Sequence, residues 1–470
     1  MAYTKEDIEN IVNKQRKFFK TGKTLDVNFR IQQLKKLKEA IIFYEDDMAK
    51  AMALDLGRTK TESYLYDIGC TIYELNETIH GLRRWAKPET HLSGMMCFPS
   101  IFTKVYKMPY GVSLIMSPFN FPFLLSLGVL VASIAGGNTA VLKVSSKSEN
   151  CVPVMIKIIE RAFDEEYVKV IDGGHDVADY CLQTRVDKIF YTGSPSVGKH
   201  VMEYASKNLT PVALELGGET GNWCVVRKDA DLKDAARKIV YFKLANAGQI
   251  CININQVAIA EEVADEFVEY LKAEFKRQIG NDPLNNEEYG KLIGTKAYDN
   301  CQKEVETYKD YVIYGGKGNR ETLKFEPTIL YPIGINEEVV NHELFCPILP
   351  IVKYKDGEID QLIETINDRE HGLALYLFTK DIAWANRVMS SSQFGGGCIN
   401  EVVMHLMVKG APFNGTGHSG MGAYHGEWGF REFTHPCTVL KGSNHFNLPL
   451  REHPFNGVTW KEKLIRLFEK

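Results

Sequence analysis

Cys251 is the residue whose type and setting most directly offer chemistry. It follows the segment NAGQI and precedes the polar segment ININQ. Gly248 is typical of a helix end, so the pattern predicts that Cys251 lies on a turn where a small molecule can reach its thiol. A cysteine thiolate is a nucleophile for covalent catalysis. Most free cysteines are instead small buried hydrophobes, so the residue by itself leaves both interpretations open.

Glu215 interrupts an otherwise apolar strand that ends in Gly217 and Gly218. Burial of this carboxyl would raise its pKa, which suits a general base. A glutamate on an edge strand would instead face solvent, and the strand alone does not separate the two interpretations.

Asn120 lies in the segment PFNFP, between two pairs of proline and phenylalanine. Such a frame would hold the side-chain amide in one direction, and a fixed N–H donor can stabilise a developing oxyanion. Asparagine is also common in ordinary turns, which is the alternative interpretation.

A glycine-containing turn runs from Gly193 through Ser194 to Gly198, after one strand pattern and at the start of a helix pattern. The free N–H groups at a helix N-terminus bind phosphate groups, so the turn could hold a pyrophosphate. The segment is not GxGxxG, and by itself it is a weak indication.

Strand and helix patterns alternate around these residues. This alternation predicts an α/β fold with a parallel sheet covered by helices, an architecture typical of dinucleotide-binding domains. Residues 5–90 are predicted to be helical, and the apolar segment Phe121–Ala135 is predicted to be a buried helix. The predicted strands of the first α/β region are 112–117, 139–145, 167–173, 188–193 and 211–218.

Composition limits the classes of protein that remain. The chain has 470 residues, 44% of them hydrophobic and 25% charged, which is typical of two or three globular domains. The net charge of −4 gives no reason to expect a nucleic-acid partner. The ten cysteines include no CxxC motif, so we expect no metal site. The charged N-terminus and the lack of a long apolar run predict a cytoplasmic protein with reduced thiols and no transmembrane segment.

Six motifs occur in the order VLKVSSKSEN, YTGSPSVGK, LELGG, NAGQIC, HELFCP and PFNGTGHSGMGAYHG. They closely resemble the successive motifs of the aldehyde dehydrogenase superfamily, over residues from about 20 to 440. The ending SGMGAYHG…FREFTH and the short N-terminus resemble the class 3 branch. The resemblance implies oxidation of an aldehyde to a carboxylic acid with NAD or NADP. It assigns the nucleophile to Cys251, the oxyanion amide to Asn120 and the base that activates the hydrolytic water to Glu215.

The resemblance also implies cofactor contacts. Residues near the adenine ribose, the pyrophosphate and the nicotinamide would be Lys143, Ser146, Gly193, Ser194, Gly198, Glu343 and Phe345. The family's usual KPxE is replaced here, so that Ser146 stands where a glutamate is common. A glutamate there repels the 2′-phosphate of NADP, whereas a serine near Lys143 and Lys147 could hydrogen-bond to it. We therefore predict that NADP is used at least as well as NAD.

Other departures from the family pattern are Glu219 in ELGGE, Cys346 in ELFCP and Asn414 in PFNG. None of these removes a chemical group from the mechanism. His405 is interpreted as a structural or pocket residue. Tyr64 and Phe121 could line an aldehyde tunnel or simply pack in the core. The remaining thiols of interest, Cys224, Cys346 and Cys398, are interpreted as core residues.

The predicted fold has a Rossmann-like cofactor domain, an α/β catalytic domain and a small β oligomerisation element. We assign residues 1–97 and 112–210 to the cofactor domain and residues 211–408 to the catalytic domain. The oligomerisation element comprises residues 98–111, predicted to be a hairpin, and 409–450. By resemblance the protein is a homodimer. Residues 451–470 form a tail with an amphipathic helix, for which docking on protein is favoured over binding to an anionic membrane.

Two alternative functions remain at this stage. One is a CoA-acylating or acyl-transferring enzyme that uses the same Cys251, although such relatives generally lack the base found here as Glu215. The other is a non-catalytic binding protein on the same fold. The presence of cysteine, asparagine and glutamate at all three chemical positions argues against it.

Overall fold

The secondary structure alternates between helices and strands through most of the chain, in a computed structural model that describes residues 3–455 and 459–468. The helices, numbered in chain order, are α1 (Lys5–Lys20), α2 (Val27–Phe43), α3 (Glu45–Leu56), α4 (Lys60–Ser63), α5 (Gly69–Trp85), α6 (Val129–Gly136), α7 (Cys151–Ala162), α8 (His175–Gln183), α9 (Pro195–Ser206), α10 (Leu232–Leu244), α11 (Ala264–Ile279), α12 (Thr295–Thr307), α13 (Ile359–Asn367), α14 (Ile382–Ser391), α15 (Gly426–Glu432) and α16 (Thr459–Phe468). The strands are β1 (Glu89–Leu92), β2 (Phe102–Pro109), β3 (Val112–Ser117), β4 (Thr139–Val144), β5 (Val168–Ile171), β6 (Lys188–Gly193), β7 (Val212–Leu216), β8 (Asn222–Val226), β9 (Ile254–Ala260), β10 (Val312–Tyr314), β11 (Gly318–Asn319), β12 (Lys324–Phe325), β13 (Thr328–Ile333), β14 (Ile348–Tyr354), β15 (Ala374–Phe378), β16 (Gly396–Ile399), β17 (Gly420–Met421) and β18 (Thr434–Leu440).

The first sheet has the strand order β17-β7-β6-β3-β4-β5. Its last five strands are parallel, and β17 joins β7 in the antiparallel direction. The predicted α/β fold is confirmed, and the five predicted strands of this region are all present. The sheet is mixed rather than purely parallel because β17 returns from the far end of the chain. β7 therefore lies between two strands and is not an edge strand.

The second sheet has the strand order β10-β13-β14-β9-β8-β15-β16. Its strands run parallel except for β10, which pairs antiparallel with β13. All seven residues of β9 are buried, since the strand lies between β8 and β14. The apolar sequence of β9 fits a strand covered on both faces. Because β9 begins three residues after Cys251, this central strand anchors the turn that carries the thiol.

Two helix starts show how sequence and tertiary contacts share the capping of free N–H groups. Thr4 begins α1 with a capping box, in which Asp7 hydrogen-bonds back to Thr4. The N-terminus of α7 is capped differently: the Asp55 carboxylate accepts hydrogen bonds from the backbone N–H groups of Asn150 and Cys151. This distant carboxylate caps α7, whereas the nearby Ser148 has no side-chain hydrogen bond in the described chain.

A third, three-stranded antiparallel sheet has the order β1-β2-β18. The sequence places a hairpin within residues 98–111, but the hairpin is longer and its first strand is β1, at Glu89–Leu92. The predicted bounds miss β1 because its sequence, ETHL, lacks the β-branched and aromatic residues that mark strands. On this third sheet, the apolar side chains of Leu92, Phe102, Tyr106 and Met108 remain exposed.

Strand membership also crosses the predicted domain limits. β7, at the start of the segment assigned to the catalytic domain, pairs with β6 in the first sheet. β17, within the segment assigned to oligomerisation, pairs with β7.

The predicted tail helix is α16, whose side chains Trp460 and Leu467 are exposed. No helix within residues 3–455 and 459–468 is long and apolar enough to span a membrane.

Candidate active site

A cavity of about 300 Å³ brings Cys251 and Glu215 together. Phe121, which directly follows Asn120, lines the same cavity. Nearly all of the other lining side chains are apolar, among them Leu65, Tyr66, Cys70, Leu124, Leu125, Phe242, Ile250, Ile252, Met404, Leu406, Met407, Phe413 and Tyr424. The cavity therefore combines one thiol and one carboxyl with a mainly apolar wall.

The turn that carries Cys251 has an unusual backbone. Asn246, Ala247 and Gly248 have φ values of +51°, +50° and +79°. A β-carbon at Gly248 would overlap the backbone carbonyl of Cys346, so glycine is required both by conformation and by space. This left-handed run ends α10 and turns the chain so that Cys251 is half-buried at the cavity rather than within a helix.

Amide side chains hold the turn in place. Asn222 on β8 donates hydrogen bonds to the carbonyls of Cys251 and Asn253, both at 2.8 Å. Asn253 in turn donates to the carbonyls of Phe242 and Gly248, at 3.0 and 3.2 Å. These bonds satisfy buried carbonyl groups that no sheet or helix pairs, and they fix the backbone on both sides of the thiol.

Asn120 is buried beside this turn. Its amide Nδ2 donates to the carbonyl of Gln249 at 3.2 Å, two residues before Cys251. Its own carbonyl accepts hydrogen bonds from Arg58 Nη2 at 2.5 Å and from Asn246 Nδ2 at 3.1 Å. The amide predicted to be an oxyanion donor therefore lies next to the cysteine turn.

Glu215 is buried, with 3% of its surface exposed, and neither carboxyl oxygen has a hydrogen-bond partner in the described chain. The solvent-facing interpretation is wrong, because β17 covers the strand edge that it requires. Burial raises the pKa of Glu215 well above its ordinary value, and the Glu432 carboxylate adds to the shift. Thr192, directly across from Glu215 on β6, also lines the cavity and has an unpaired hydroxyl among the described residues.

The pKa of the Cys251 thiol is raised rather than lowered. Burial, with the carboxylates of Glu343 and Glu215 nearby, raises the pKa of Cys251 to about 12. The thiol is therefore protonated at neutral pH and must lose a proton before it can attack. Burial raises the pKa of Glu343 to about 8, against the opposing effect of Lys243. Glu343 is thus partly ionised near neutral pH.

Three glycines near the start of α9 lie tightly against neighbouring side chains of the protein. A β-carbon at Gly193 would overlap the Tyr191 hydroxyl, and one at Gly198 would lie 3.0 Å from Leu216. Between them Ser194 is the N-cap of α9, and its side chain caps no N–H group. A β-carbon at Gly217 would overlap the Glu343 carboxylate. The open helix start and the bare backbone suit a pyrophosphate.

The residues predicted to contact the nicotinamide and the ribose lie in two segments of the chain, around Phe345 and around Lys143. Phe345, with φ of +50°, packs its ring edge against Phe119 at a centroid distance of 5.9 Å. Lys143 lies one residue before the end of β4, and its ammonium donates to the carbonyls of Val144 and Gly173 at 2.9 and 2.8 Å. Ser146 is exposed. Lys147, also considered for phosphate contact, lies with its ammonium 5.0 Å from the centre of the Phe119 ring.

The structure also places the aromatic residues, the histidine and the other cysteines that the sequence singled out. Phe121 lines the cavity, but Tyr64 does not, and its neighbours Leu65 and Tyr66 take that place. His405 lies behind the wall, with its Nδ1 atom 3.6 Å from the Cys398 sulfur. Cys224 and Cys346 are buried core thiols, whereas Cys398 is half-buried.

Sequence reasoning missed Arg58, Asp67 and Asn246, which surround Asn120. Arg58 and Asp67 form an ion pair with both side chains fully buried. The sequence LGRTKTES around Arg58 resembles an ordinary polar helix start and contains no signal for this role. The only available sign for Asn246 is its place beside Gly248 in NAGQI, because asparagine tolerates left-handed backbone.

A sheet that presents an open helix start, next to a thiol and an unpaired carboxyl, fits a nucleotide-dependent enzyme with a cysteine nucleophile. The family model for the aldehyde dehydrogenase family matches residues 1–439. The 4,4'-diaponeurosporen-aldehyde dehydrogenase of Staphylococcus aureus is 36% identical over 455 residues, which cover 96% of this chain and 97% of that protein. The dimeric NADP-preferring aldehyde dehydrogenase of Canis lupus familiaris is 34% identical, over 95% of this chain and 98% of that protein.

A solved structure agrees with these matches. The substrate-bound state of Staphylococcus aureus AldH has a TM-score of 0.94 and 35% identity, covering 98% of this chain and 99% of that chain. The chain belongs to the aldehyde dehydrogenase family. It is an oxidoreductase of the aldehyde group that works with NAD or NADP, and the predicted class 3 resemblance is confirmed.

Proposed function

We propose that the protein oxidises an apolar aldehyde to its carboxylic acid through a thioester on Cys251. The observation that carries this proposal is the single cavity shared by the thiol of Cys251 and the unpaired carboxyl of Glu215. A thiol alone fits thioester formation, and a carboxyl base beside it fits the release of that thioester by water.

The first chemical step is attack of the Cys251 sulfur on the aldehyde carbon. The thiol proton leaves to the nearby Glu343 carboxylate, so that the Glu215 carboxylate stays unprotonated for the second step. The carbonyl oxygen becomes the oxyanion of a thiohemiacetal. The Asn120 amide and the backbone N–H of Cys251 stabilise that charge. The bound nicotinamide supplies the acceptor for the hydride that leaves the aldehyde carbon, and the thioester remains on Cys251.

The second step is hydrolysis. Glu215 takes a proton from a water molecule, the resulting hydroxide attacks the thioester carbonyl, and the carbon–sulfur bond breaks to give the acid and the Cys251 thiolate. The unpaired Thr192 hydroxyl beside Glu215 offers the second hydrogen bond that would hold this water in place. Burial, with the Glu432 carboxylate nearby, raises the pKa of Glu215 and so makes its carboxylate a stronger base.

A CoA-acylating or acyl-transferring enzyme is the alternative that shares Cys251. The buried Glu215 supports hydrolysis because a transferase needs no base to activate water. The test is to supply aldehyde and NADP with and without CoA, and to identify the products by mass spectrometry. We expect free acid at an unchanged rate in both reactions. Accumulation of the acyl-CoA thioester would support the alternative.

We predict a preference for long aliphatic and aromatic aldehydes. Each methylene that enters the apolar cavity should raise kcat/KM by up to about fourfold, until the cavity is filled. The measurement is a series of straight-chain aldehydes from two to twelve carbons. Leu65→Asn, at an exposed position of the wall, should lower kcat/KM for the long aldehydes and leave acetaldehyde unaffected. A flat series would contradict the prediction.

For the cofactor, we predict that the wild type uses NADP at least as well as NAD. The exposed hydroxyl of Ser146 leaves room for the 2′-phosphate, whereas a carboxylate there would repel it. Ser146→Glu should shift the ratio of kcat/KM values towards NAD. Ser206→Glu, at the far end of α9, adds the same charge elsewhere and should leave the ratio unchanged. A wild type that prefers NAD by about tenfold or more would contradict this interpretation.

We also propose that the protein is a cytoplasmic homodimer. The exposed apolar side chains of the β1-β2-β18 sheet support assembly through this element, since such a patch is unfavourable in water. Ten unpaired cysteines fit a reducing compartment. From the sequence we further assign cofactor binding to residues 1–97 and 112–210, catalysis to residues 211–408, and assembly to residues 98–111 and 409–450. Three strands cross these limits: β1 joins the assembly sheet, and β7 and β17 join the first sheet.

A further inference from the structure

Arg58 is a deeply buried charged side chain close to the active site, with 1% of its surface exposed. It lies between α3 and α4, outside every segment so far given a chemical role. A buried guanidinium is costly unless every donor finds a partner. Asp67, also fully buried, provides the opposite charge at 3.1 Å. Burial raises the pKa of Asp67 to about 6, and the nearby Arg58 guanidinium opposes this shift.

The remaining donors of Arg58 reach both halves of the active site. Nη2 donates to the carbonyl of Asn120 at 2.5 Å, and Nε donates to Oδ1 of Asn246 at 2.9 Å. Asn246 starts the turn that leads to Cys251. The guanidinium plane also lies 4.6 Å from the centre of the Phe121 ring. The Arg58 side chain therefore links the segment that contains Asn120 to the turn that carries Cys251.

Further hydrogen bonds of Asn246, Gln249 and Asp67 hold the same two segments together. Asn246 Nδ2 donates both to the Asn120 carbonyl and to the Gln249 carbonyl, at 3.1 and 3.0 Å. The Gln249 carbonyl also accepts the Asn120 amide. Asp67 accepts a hydrogen bond from the backbone N–H of Leu124, four residues after Asn120. This bond fixes the chain that follows Asn120. Removing Arg58 would leave the Asn120 carbonyl with Asn246 as its one remaining partner among these contacts.

We propose that Arg58 is a positioning residue that sets the separation between the Asn120 amide and the Cys251 sulfur. This inference rests on the proposed function, because it requires that Asn120 stabilises the oxyanion. Arg58 itself does not line the cavity and touches no reacting atom. Its planar fork binds three acceptors in fixed directions, which a lysine ammonium cannot reproduce. A shift of about 1 Å in a catalytic donor can cost about a hundredfold in rate.

The test compares Arg58→Lys with a matched variant, Arg30→Lys. Arg30 is equally buried and donates to three carbonyls, those of Thr24, Leu25 and Ala135, away from the active site. Both variants should lower the thermal unfolding temperature. Only Arg58→Lys should slow the single-turnover formation of NADPH, by about 10- to 100-fold, with the KM for the aldehyde changed less than about twofold. Equal rates in the two variants would overturn the proposal.

A double-mutant cycle shows whether Arg58 acts through Asn120. In the Asn120→Ala background, Arg58→Lys should slow the reaction by less than about twofold, since the donor it positions is gone. Full additivity of the two losses would overturn the proposal. If Asn120→Ala alone leaves the rate unchanged, the proposed oxyanion role fails instead, so the two failures are distinguishable.

A second variant covers the case in which Arg58→Lys does not fold. Asn246→Gly keeps the Arg58–Asp67 ion pair and suits the left-handed backbone at this position. It removes the Asn246 side-chain oxygen that accepts from Arg58 Nε, and the Asn246 amide that donates to the Asn120 carbonyl. We expect the same selective loss of the single-turnover rate with an unchanged KM. A folded Asn246→Gly protein with wild-type rates would overturn the proposal.

Discussion

Replacing Cys251 by serine is expected to lower dehydrogenase turnover by at least about a thousandfold. A serine hydroxyl is a much weaker nucleophile than a thiolate, because it loses its proton far less readily than a thiol does. Binding of NADP, measured by quenching of tryptophan fluorescence, should remain within about twofold of wild type because the side chain is nearly isosteric. The rate is measured as NADPH absorbance with a long-chain aldehyde.

Cys70→Ser is the matched control for this substitution. Cys70 lines the same cavity, and its thiol donates a hydrogen bond to the Leu65 carbonyl at 3.2 Å. Because a hydroxyl can make the same bond, turnover of this variant should stay within about threefold of wild type. Retained activity in Cys251→Ser, or an equal loss in Cys70→Ser, would contradict the role of Cys251.

Glu215→Gln is expected to separate the two chemical steps. The amide cannot take a proton from water, so steady-state turnover should fall by about 10²- to 10⁴-fold. Formation of the thioester does not need that base if Glu343 accepts the thiol proton. Stopped-flow absorbance should then show a rapid burst of NADPH, close to one per active site, followed by a slow phase.

The matched control is Glu74→Gln, at another buried carboxylate. Glu74 accepts hydrogen bonds from His425 and Gly426 and lines a separate small cavity. Its amide variant should show wild-type turnover with no burst. Wild-type turnover in Glu215→Gln would remove Glu215 from the mechanism. Loss of the burst itself would mean that Glu215 acts before the thioester forms.

The sequence was sufficient to predict the parts of the site that depend on local pattern. Gly248 predicted that the helix ends before Cys251, and the backbone there is left-handed as that requires. The pattern around Gly193 and Ser194 predicted a change from strand to helix, and β6 ends at Gly193 with Ser194 as the N-cap of α9. Such features depend on residues within a few positions of each other, so their physical causes are visible in the sequence.

Features that depend on distant partners could not be predicted. The environment of Glu215 is decided by β17, about 200 residues further along the chain. The raised pKa of Cys251 depends on its burial in the folded chain and on carboxylates from two other segments, Glu343 and Glu215. Arg58 reaches Asn120 and Asn246 from positions that carry no motif. The bounds of the hairpin were wrong for a related reason, since β1 is stabilised by pairing with β2 rather than by its own composition.

The covalent thioester on Cys251 is the central element of the proposed mechanism, and mass spectrometry can test it directly. The Glu215→Gln variant is mixed with a long-chain aldehyde and NADP, quenched in acid after the burst, digested and mapped by peptide mass. We predict one acyl group per chain, on the peptide that contains Cys251, with the other nine cysteines free. An acyl group on a different cysteine, or a full NADPH burst with no acylated peptide, would contradict the mechanism.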